Sequence, residues 1–327
     1  MRVRVTTGGR LHFGFLNLSL AHQRLYGGLG VAIETPRVVI EATPAETVRC
    51  KHPDAAPYAE AAAELLGVPG AVIEVIEELP RHVGLGSGTQ LALAVASAVA
   101  AANDRDPMPR QFAPELGRGG RSGVGVGCFE SGGFVLDAGH PTERFTTDRP
   151  ARGSWEVPPV AARHHVPEEW RFVVVLPAAE RGRSGKAEDR SMRSIVERAD
   201  PAVADEISAV VTRRLLPGIA AGDRAMFGRA IEAVGRLNGT WYADEQGGVY
   251  RPPVGTIVER LRNEAAISGV GQSSWGPAVY GVTTAEHADA ARTAGEMALD
   301  AADVAGEVQI TEPRNRGATI DRDGTDS

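Results

Sequence analysis

The run Gly84-Leu85-Gly86-Ser87-Gly88-Thr89-Gln90 is small, flexible and hydroxyl-bearing, and an uncharged stretch of Ala, Val and Leu with one Ser follows it from Leu91 to Ala102. A loop of small residues feeding an apolar helix leaves backbone N–H groups unpaired at the helix N-terminus, where the helix dipole is positive. Glycine lets the backbone come close to a phosphate, because no Cβ stands in the way. The chemistry expected here is anion binding by Gly84, Gly86, Ser87, Gly88, Thr89 and Gln90. No Gly-Lys-Ser/Thr follows, so this is not a Walker loop, and the spacing of a Rossmann fingerprint is missing too.

Two more small-residue segments stand out, at 117–127 and 271–277. The first carries Arg118, Arg121 and Ser122, and the second Gln272, Ser273 and Ser274. Guanidinium forks match phosphate oxygens in pairs. Three such loops beside strand or helix ends suggest one shared pocket for a phosphorylated ligand. A fourth segment, Glu180-Arg181-Gly182-Arg183-Ser184-Gly185, comes straight after an apolar strand, and Arg181, Arg183 and Ser184 also suit a bound anion. Arg10 and His12 are two apart in an extended piece, so they face one side.

These groups need elements to hold them. Strands are expected over Met1–Thr6 and Arg10–Phe15 with a break at Gly8-Gly9, then a Gly-rich turn at Tyr26–Gly30 and paired strands around Pro36. A helix over 55–66 and a strand over 71–79 lead into the opening loop, and Phe134–Asp137 is a strand leaving the second one. Residues 140–167 are rich in Pro, Arg and His and mark a domain boundary, dividing the chain into 1–167 and 168–312. The second half opens on the strand Trp170–Leu176. Helices follow near 187–199, 202–217, 222–238 and 254–266, then a strand after the third loop, a helix over 285–302 and a strand over 307–311. After Pro313 the chain turns polar, and 313–327 is expected to be a disordered tail. Strands and helices mix without strict alternation, which gives an α+β class.

At 327 residues, 43% hydrophobic and 24% charged, the chain has material for a substantial core. A net charge of -7 argues against a general nucleic-acid binder. Its basic residues are almost all arginine, with Lys51 and Lys186 the only lysines. Cys50 and Cys128 make neither a metal nor a disulfide framework and suit a reducing cytoplasm. The N-terminus does not read as a signal peptide and no apolar run is long enough to span a membrane, so a cytoplasmic protein is expected.

Pro80 to Thr89 resembles the P-x-x-x-G-L-G-S-S motif of the GHMP kinase superfamily. Arg10–Gly14 resembles its N-terminal motif, and Val270–Pro277 its C-terminal Gly-rich motif. Within the superfamily the chain most resembles the β-ribofuranosylaminobenzene 5′-phosphate synthases, on residues 10–18, 82–98, 116–139, 170–185 and 271–281. The resemblance implies a two-domain fold, with an N-terminal ribosomal-S5-like α+β domain and a C-terminal ferredoxin-like domain. It implies a homodimer that works with Mg²⁺ and without ATP. The implied reaction joins phosphoribosyl pyrophosphate to 4-hydroxybenzoate or 4-aminobenzoate and releases carbon dioxide and pyrophosphate, early in methanopterin biosynthesis.

Many kinases of the superfamily carry a P-S-G-x-D segment whose acid assists phosphoryl transfer. Here the matching run is Arg121-Ser122-Gly123-Val124-Gly125, with glycine in place of the acid and arginine in place of the proline. On this reading loop 84–90, Arg118 and Arg121 take the pyrophosphate. Arg181, Arg183 and Ser184 take the 5′-phosphate or the aromatic carboxylate. Arg10 and His12 reach the aromatic acid, and the Mg²⁺ ligands stay open, with Asp137 and Glu180 as candidate carboxylates. A GHMP-type small-molecule kinase and a non-catalytic phospholigand sensor are the alternatives.

Overall fold

The computed structural model describes residues 2–146, 150–179 and 185–322, with the backbone alone for 185–190. The chain runs β1 (Val3–Asn17), β2 (Arg24–Pro44), β3 (Arg49–Cys50), α1 (Ala56–Leu66), β4 (Ala71–Glu77), α2 (Ser87–Ala102), α3 (Pro109–Glu115), α4 (Val124–Ser131), β5 (Phe134–Asp137), β6 (His140–Pro141) and β7 (Val160–His164). It continues through β8 (Trp170–Pro177), α5 (Gly185–Arg198), α6 (Pro201–Val210), α7 (Leu216–Ala221), α8 (Arg224–Gln246), α9 (Val254–Arg262), β9 (Val270–Gln272), β10 (Val279–Thr284), α10 (Ala288–Ala301), β11 (Gly306–Thr311) and β12 (Thr319–Arg322). The α+β class holds.

The strands form two sheets. The first has the path β12-β1-β2-β4-β3, with β5 and β6 paired to β2 and β7 to β5. The second has the order β11-β8-β10-β9, all antiparallel. Counted from β8, that order is 4-1-3-2 with helices between strands, the ferredoxin-like arrangement.

The run WRFVVVLP is apolar apart from Arg171 because both faces of β8 are covered. Phe172 and Val174 face a core shared with β1, β2, α6 and α8. Val173 and Val175 face α9 and α10. Alternate residues of a strand point to opposite faces, and a strand covered twice loses the polar half of its pattern. The shared core joins the two sheets. Phe227 of α8 meets the rings of Phe13, Phe134 and Trp170, with centroids 6.0, 5.9 and 5.2 Å apart. Helix α2 is buried along its whole length from Gln90 to Ala102. A helix surrounded on every side has no use for charge, which is why its sequence shows no amphipathic stripe.

Four expectations change, the first being the paired strands around Pro36, which are one continuous strand, β2. The chain does not break at Gly8-Gly9: β1 runs through, with register shifts between Gly8 and Arg10 and between His12 and Gly14. Gly8 is needed there because a Cβ would strike the Ile33 carbonyl. Tyr26–Gly30 is not a turn between strands but part of β2, bent where Tyr26 and Gly27 take φ of 66° and 73°. Pro313–Arg322 is not a disordered tail. Arg314, only 3% exposed, pairs with Glu34 at 2.6 Å and donates to the carbonyls of Thr6 and Gly317. Asn315 exchanges two hydrogen bonds with the Val166 backbone, and β12 pairs with Val3–Thr6 of β1. The polar composition that suggests disorder is spent on buried partners.

Candidate functional site

The three small-residue loops meet around one cavity of 1260 Å³. Gly84, Gly86, Ser87, Gly88 and Thr89 line it from the start of α2, Gly117 to Ser122 from the loop before α4, and Ser274 to Gly276 from the loop after β9. Gly86, in the left-handed region at φ 80°, turns the chain into the helix, and no side chain caps it. The amides of Thr89 and Gln90 already bond the Gly86 carbonyl. Ser87 and Gly88 therefore present the first donors of the helix to the cavity.

Two guanidiniums flank this end. Arg10 lies against Gly86, with its Nη1 donating to the Gly84 carbonyl at 2.6 Å. Arg118 lies against Gly88, its guanidinium 2.8 to 3.0 Å from where a Cβ would stand. Tyr58 of α1 holds Arg118: its hydroxyl accepts from Nη2, and its ring lies 5.4 Å below the guanidinium. Nothing in the sequence marks Tyr58, since its role rests on α1 crossing a loop far along the chain. Arg121 also lines the cavity.

Asp137 is fully buried and anchors the second loop. Oδ2 accepts from the Gly123 amide at 2.8 Å and the Ser122 hydroxyl at 3.0 Å, Oδ1 accepts from the Gly139 amide at 2.9 Å, and Gly28 adds another amide. Burial pushes its carboxyl up to about 6 against these donors, so it is ionised at neutral pH. Four donors use up the lone pairs of a carboxylate, so Asp137 is a loop anchor and not a metal ligand. Among the described residues no three metal-ligating side chains cluster.

Ser122 is similarly occupied: it donates to Asp137, and its Oγ accepts from the Val124 amide at 3.2 Å. His12 Nε2 stands 3.3 Å from the same oxygen. Ser122 is thus a bridge rather than a phosphate ligand. His12 is 4% exposed and lines the cavity, with Phe15 edge-on at 5.1 Å. Burial, and then the Arg10 charge, push the His12 imidazole down to about 3, so it is neutral at pH 7.

Two residues expected to bind ligand do structural work instead, and a third lies off the cavity. Gln90 is fully buried, accepts from Thr7 Oγ1 and donates to the Gly125 carbonyl, both at 2.8 Å. It ties β1 to α4. Ser273 is also fully buried. It donates to the Gly84 carbonyl at 2.7 Å and accepts from the His12 amide at 3.0 Å, which ties the first loop to the third. Gln272 lines a separate pocket of 40 Å³ behind Phe15 and Trp275. Ser274 does reach the cavity. Arg181, Arg183, Ser184 and Glu180 lie outside the described residues.

Part of the cavity lining is aromatic and apolar. Phe15, Leu25, Tyr26, Met192 and Trp275 supply it. The Phe15 and Tyr26 rings sit 5.8 Å apart, and Trp275 packs on Tyr242 of α8 at 4.5 Å. These residues come from β1, β2, α5, α8 and the third loop, so no single stretch of sequence shows the wall.

Residues 55–133 match the GHMP kinases N terminal domain and residues 215–297 the GHMP kinases C terminal family. The chain is 32% identical over 329 residues to the β-ribofuranosylphenol 5′-phosphate synthase of Methanothermobacter thermautotrophicus, covering 96% of this chain and 97% of that protein. The chain belongs to this family. Its counterpart in Archaeoglobus fulgidus, of the same name, is 31% identical over 98% of this chain and 99% of that one. The fold is that of the GHMP kinases: mevalonate pyrophosphate decarboxylase from Streptococcus pyogenes superposes with a TM-score of 0.68 at 10% identity, covering 96% and 97% of the two chains. This chain is an enzyme of that fold, and no helix among its described residues is long and apolar enough to cross a membrane. At the position of the kinase acid, a Cβ on Gly125 would stand 3.2 Å from Thr89 Cγ2.

Proposed function

We propose that this enzyme is a decarboxylating phosphoribosyltransferase that joins phosphoribosyl pyrophosphate to 4-hydroxybenzoate or 4-aminobenzoate. The observation that carries this reading is one cavity that brings an anion-binding helix start and an aromatic wall together. An uncapped helix N-terminus between Arg10 and Arg118 lines it, and so do the aromatic rings of Phe15, Tyr26 and Trp275. A diphosphate fits the first and a benzoate ring the second. The family's name supports the ribosyl product.

In the reaction the C1–oxygen bond of the donor breaks, and its electron pair leaves with pyrophosphate. The ring carbon bearing the carboxylate bonds to C1, with the lone pair of the para substituent feeding electrons into the ring. The bond to the carboxylate then breaks. Its pair restores the aromatic ring, and carbon dioxide departs. The Ser87 and Gly88 amides, the α2 dipole, Arg10, Arg118 and Arg121 stabilise the charge that develops on pyrophosphate. Phe15, Tyr26 and Trp275 hold the ring for attack. An apolar wall also leaves the carboxylate poorly solvated, which favours loss of carbon dioxide.

The described residues do not build a Mg²⁺ site of their own. We therefore take Mg²⁺ as an ion carried by diphosphate oxygens and water, and no step above runs through it. Glycine at 125 speaks against the kinase reading. The test is to incubate the enzyme with carboxyl-labelled 4-hydroxybenzoate or 4-aminobenzoate and phosphoribosyl pyrophosphate across a range of Mg²⁺. Stoichiometric labelled carbon dioxide and pyrophosphate are expected. Release of neither with either acid overturns the proposal.

A further inference from the structure

His12, Ser122 and Asp137 form a hydrogen-bonded chain from the cavity into the interior, and its polarity is fixed at the inner end. Asp137 is an acceptor on both oxygens, filled by three backbone amides and the Ser122 hydroxyl. Ser122 has one proton, and it goes to Asp137 at 3.0 Å. One lone pair of Ser122 takes the Val124 amide at 3.2 Å. The remaining lone pair faces His12 Nε2 at 3.3 Å. Oxygen with no proton left to give can only accept, so the imidazole must carry its proton on Nε2. In a neutral imidazole the other nitrogen is then an acceptor. Among the described residues no partner bonds His12 Nδ1, and it is not among the sealed, unsatisfied atoms of the interior. The ring lines the cavity next to Phe15, at the start of the aromatic wall.

We infer that Ser122 and Asp137 are positioning residues that lock His12 as the Nε2–H tautomer, so that Nδ1 reads a hydrogen-bond donor on the para position of the aromatic acid. This rests on the acceptor being a benzoate, as proposed above, and it narrows the class. Hydroxyl and amino groups both donate, so one acceptor atom admits both acids. A para fluorine, methoxy group or hydrogen offers nothing to it.

The experiment is equilibrium titration of the full-length enzyme with 4-hydroxybenzoate, 4-aminobenzoate, 4-fluorobenzoate and benzoate, together with ¹⁵N spectra of the His12 ring. A single neutral hydrogen bond is worth about a tenfold change in affinity. Wild type is expected to bind the hydroxy and amino acids about tenfold tighter than the fluoro acid. His12→Phe is expected to bind all of them alike. In Ser122→Ala the preference shrinks and the ring spectrum becomes a mixture of tautomers, a change that mere loosening of the loop does not predict. Equal binding of the four acids by wild type, a proton on Nδ1, or an unchanged preference in His12→Phe overturns the inference. The wild-type measurements need no variant to fold. Carbon dioxide release without any para preference removes this inference and leaves the synthase reading intact. A para preference without any carbon dioxide release does the reverse.

Discussion

Helices α6 and α8 start on aspartates, whereas α2 starts on a glycine. Asp200 accepts from the Ala202 amide at 2.9 Å and Asp223 from the Met226 amide at 2.8 Å, so each helix supplies a partner for its own first turn. Gly86 supplies none. All three ends face the same problem of unpaired donors. Where the helix only packs, the chain solves it internally. At the cavity it leaves the donors to whatever binds there and sets Arg10 and Arg118 beside them. On the proposed reading, the difference separates a stability role from a binding role on one kind of structural feature.

Giving α2 an acid of its own should break that difference most sharply. Ser87→Asp is expected to reduce kcat/KM for phosphoribosyl pyrophosphate by about a hundredfold or more, as charge-assisted donors are lost and the anion is repelled. The same change should hold or raise the unfolding midpoint, because an acid in the first turn favours a helix by about 0.3–1 kcal/mol. A variant that is both unstable and active would refute the assignment. Arg118→Ala comes next. It should raise KM for the same donor about 10- to 100-fold, from one lost charge-assisted contact, and steady-state kinetics check it.

The third prediction concerns acid. The folded pKa of His12 lies below its unfolded value, so the unfolded state takes up the proton first as pH falls from 6.5 towards about 3. Stability present above pH 6.5 is lost through that window, with this group contributing up to about 1.4 kcal/mol per pH unit. Asp137, raised to about 6, has the opposite slope between pH 4 and 6. His12→Asn should therefore flatten or reverse the acid side of the stability curve, as denaturant titration from pH 7 to 4 would show. The smallest effect belongs to the helix that caps itself. Asp223→Ala should cost about 1 kcal/mol of stability and leave kcat/KM unchanged. A kinetic defect there would blur the distinction between the helices.

Much of this was legible in the chain because it is written locally. The loop at 84–90 and the uncharged run behind it announce a buried helix with a bare start, and the apolar run at 172–177 announces a strand. Other features are legible only in three dimensions. Asp137 looks like a ligand until three amides converge on it. Gln90 and Ser273 sit inside binding-type motifs, yet they turn inward and fasten one loop to another. Tyr58 and the Phe15–Tyr26–Trp275 wall carry no motif, because each partner comes from a different element. Arg314 shows why a polar tail can be ordered: composition counts charges, while order depends on whether Glu34 and two carbonyls await them.

The contact between Gly125 and Thr89 bears on the history open to this fold. A side chain at 125 must share space with a methyl group 3.2 Å away, so an acid arriving there on this background meets resistance. Serine at 89 lacks that methyl. The two substitutions are expected to be epistatic: a laboratory lineage that changes residue 89 first should accept an acid at 125 more readily than one started in the other order.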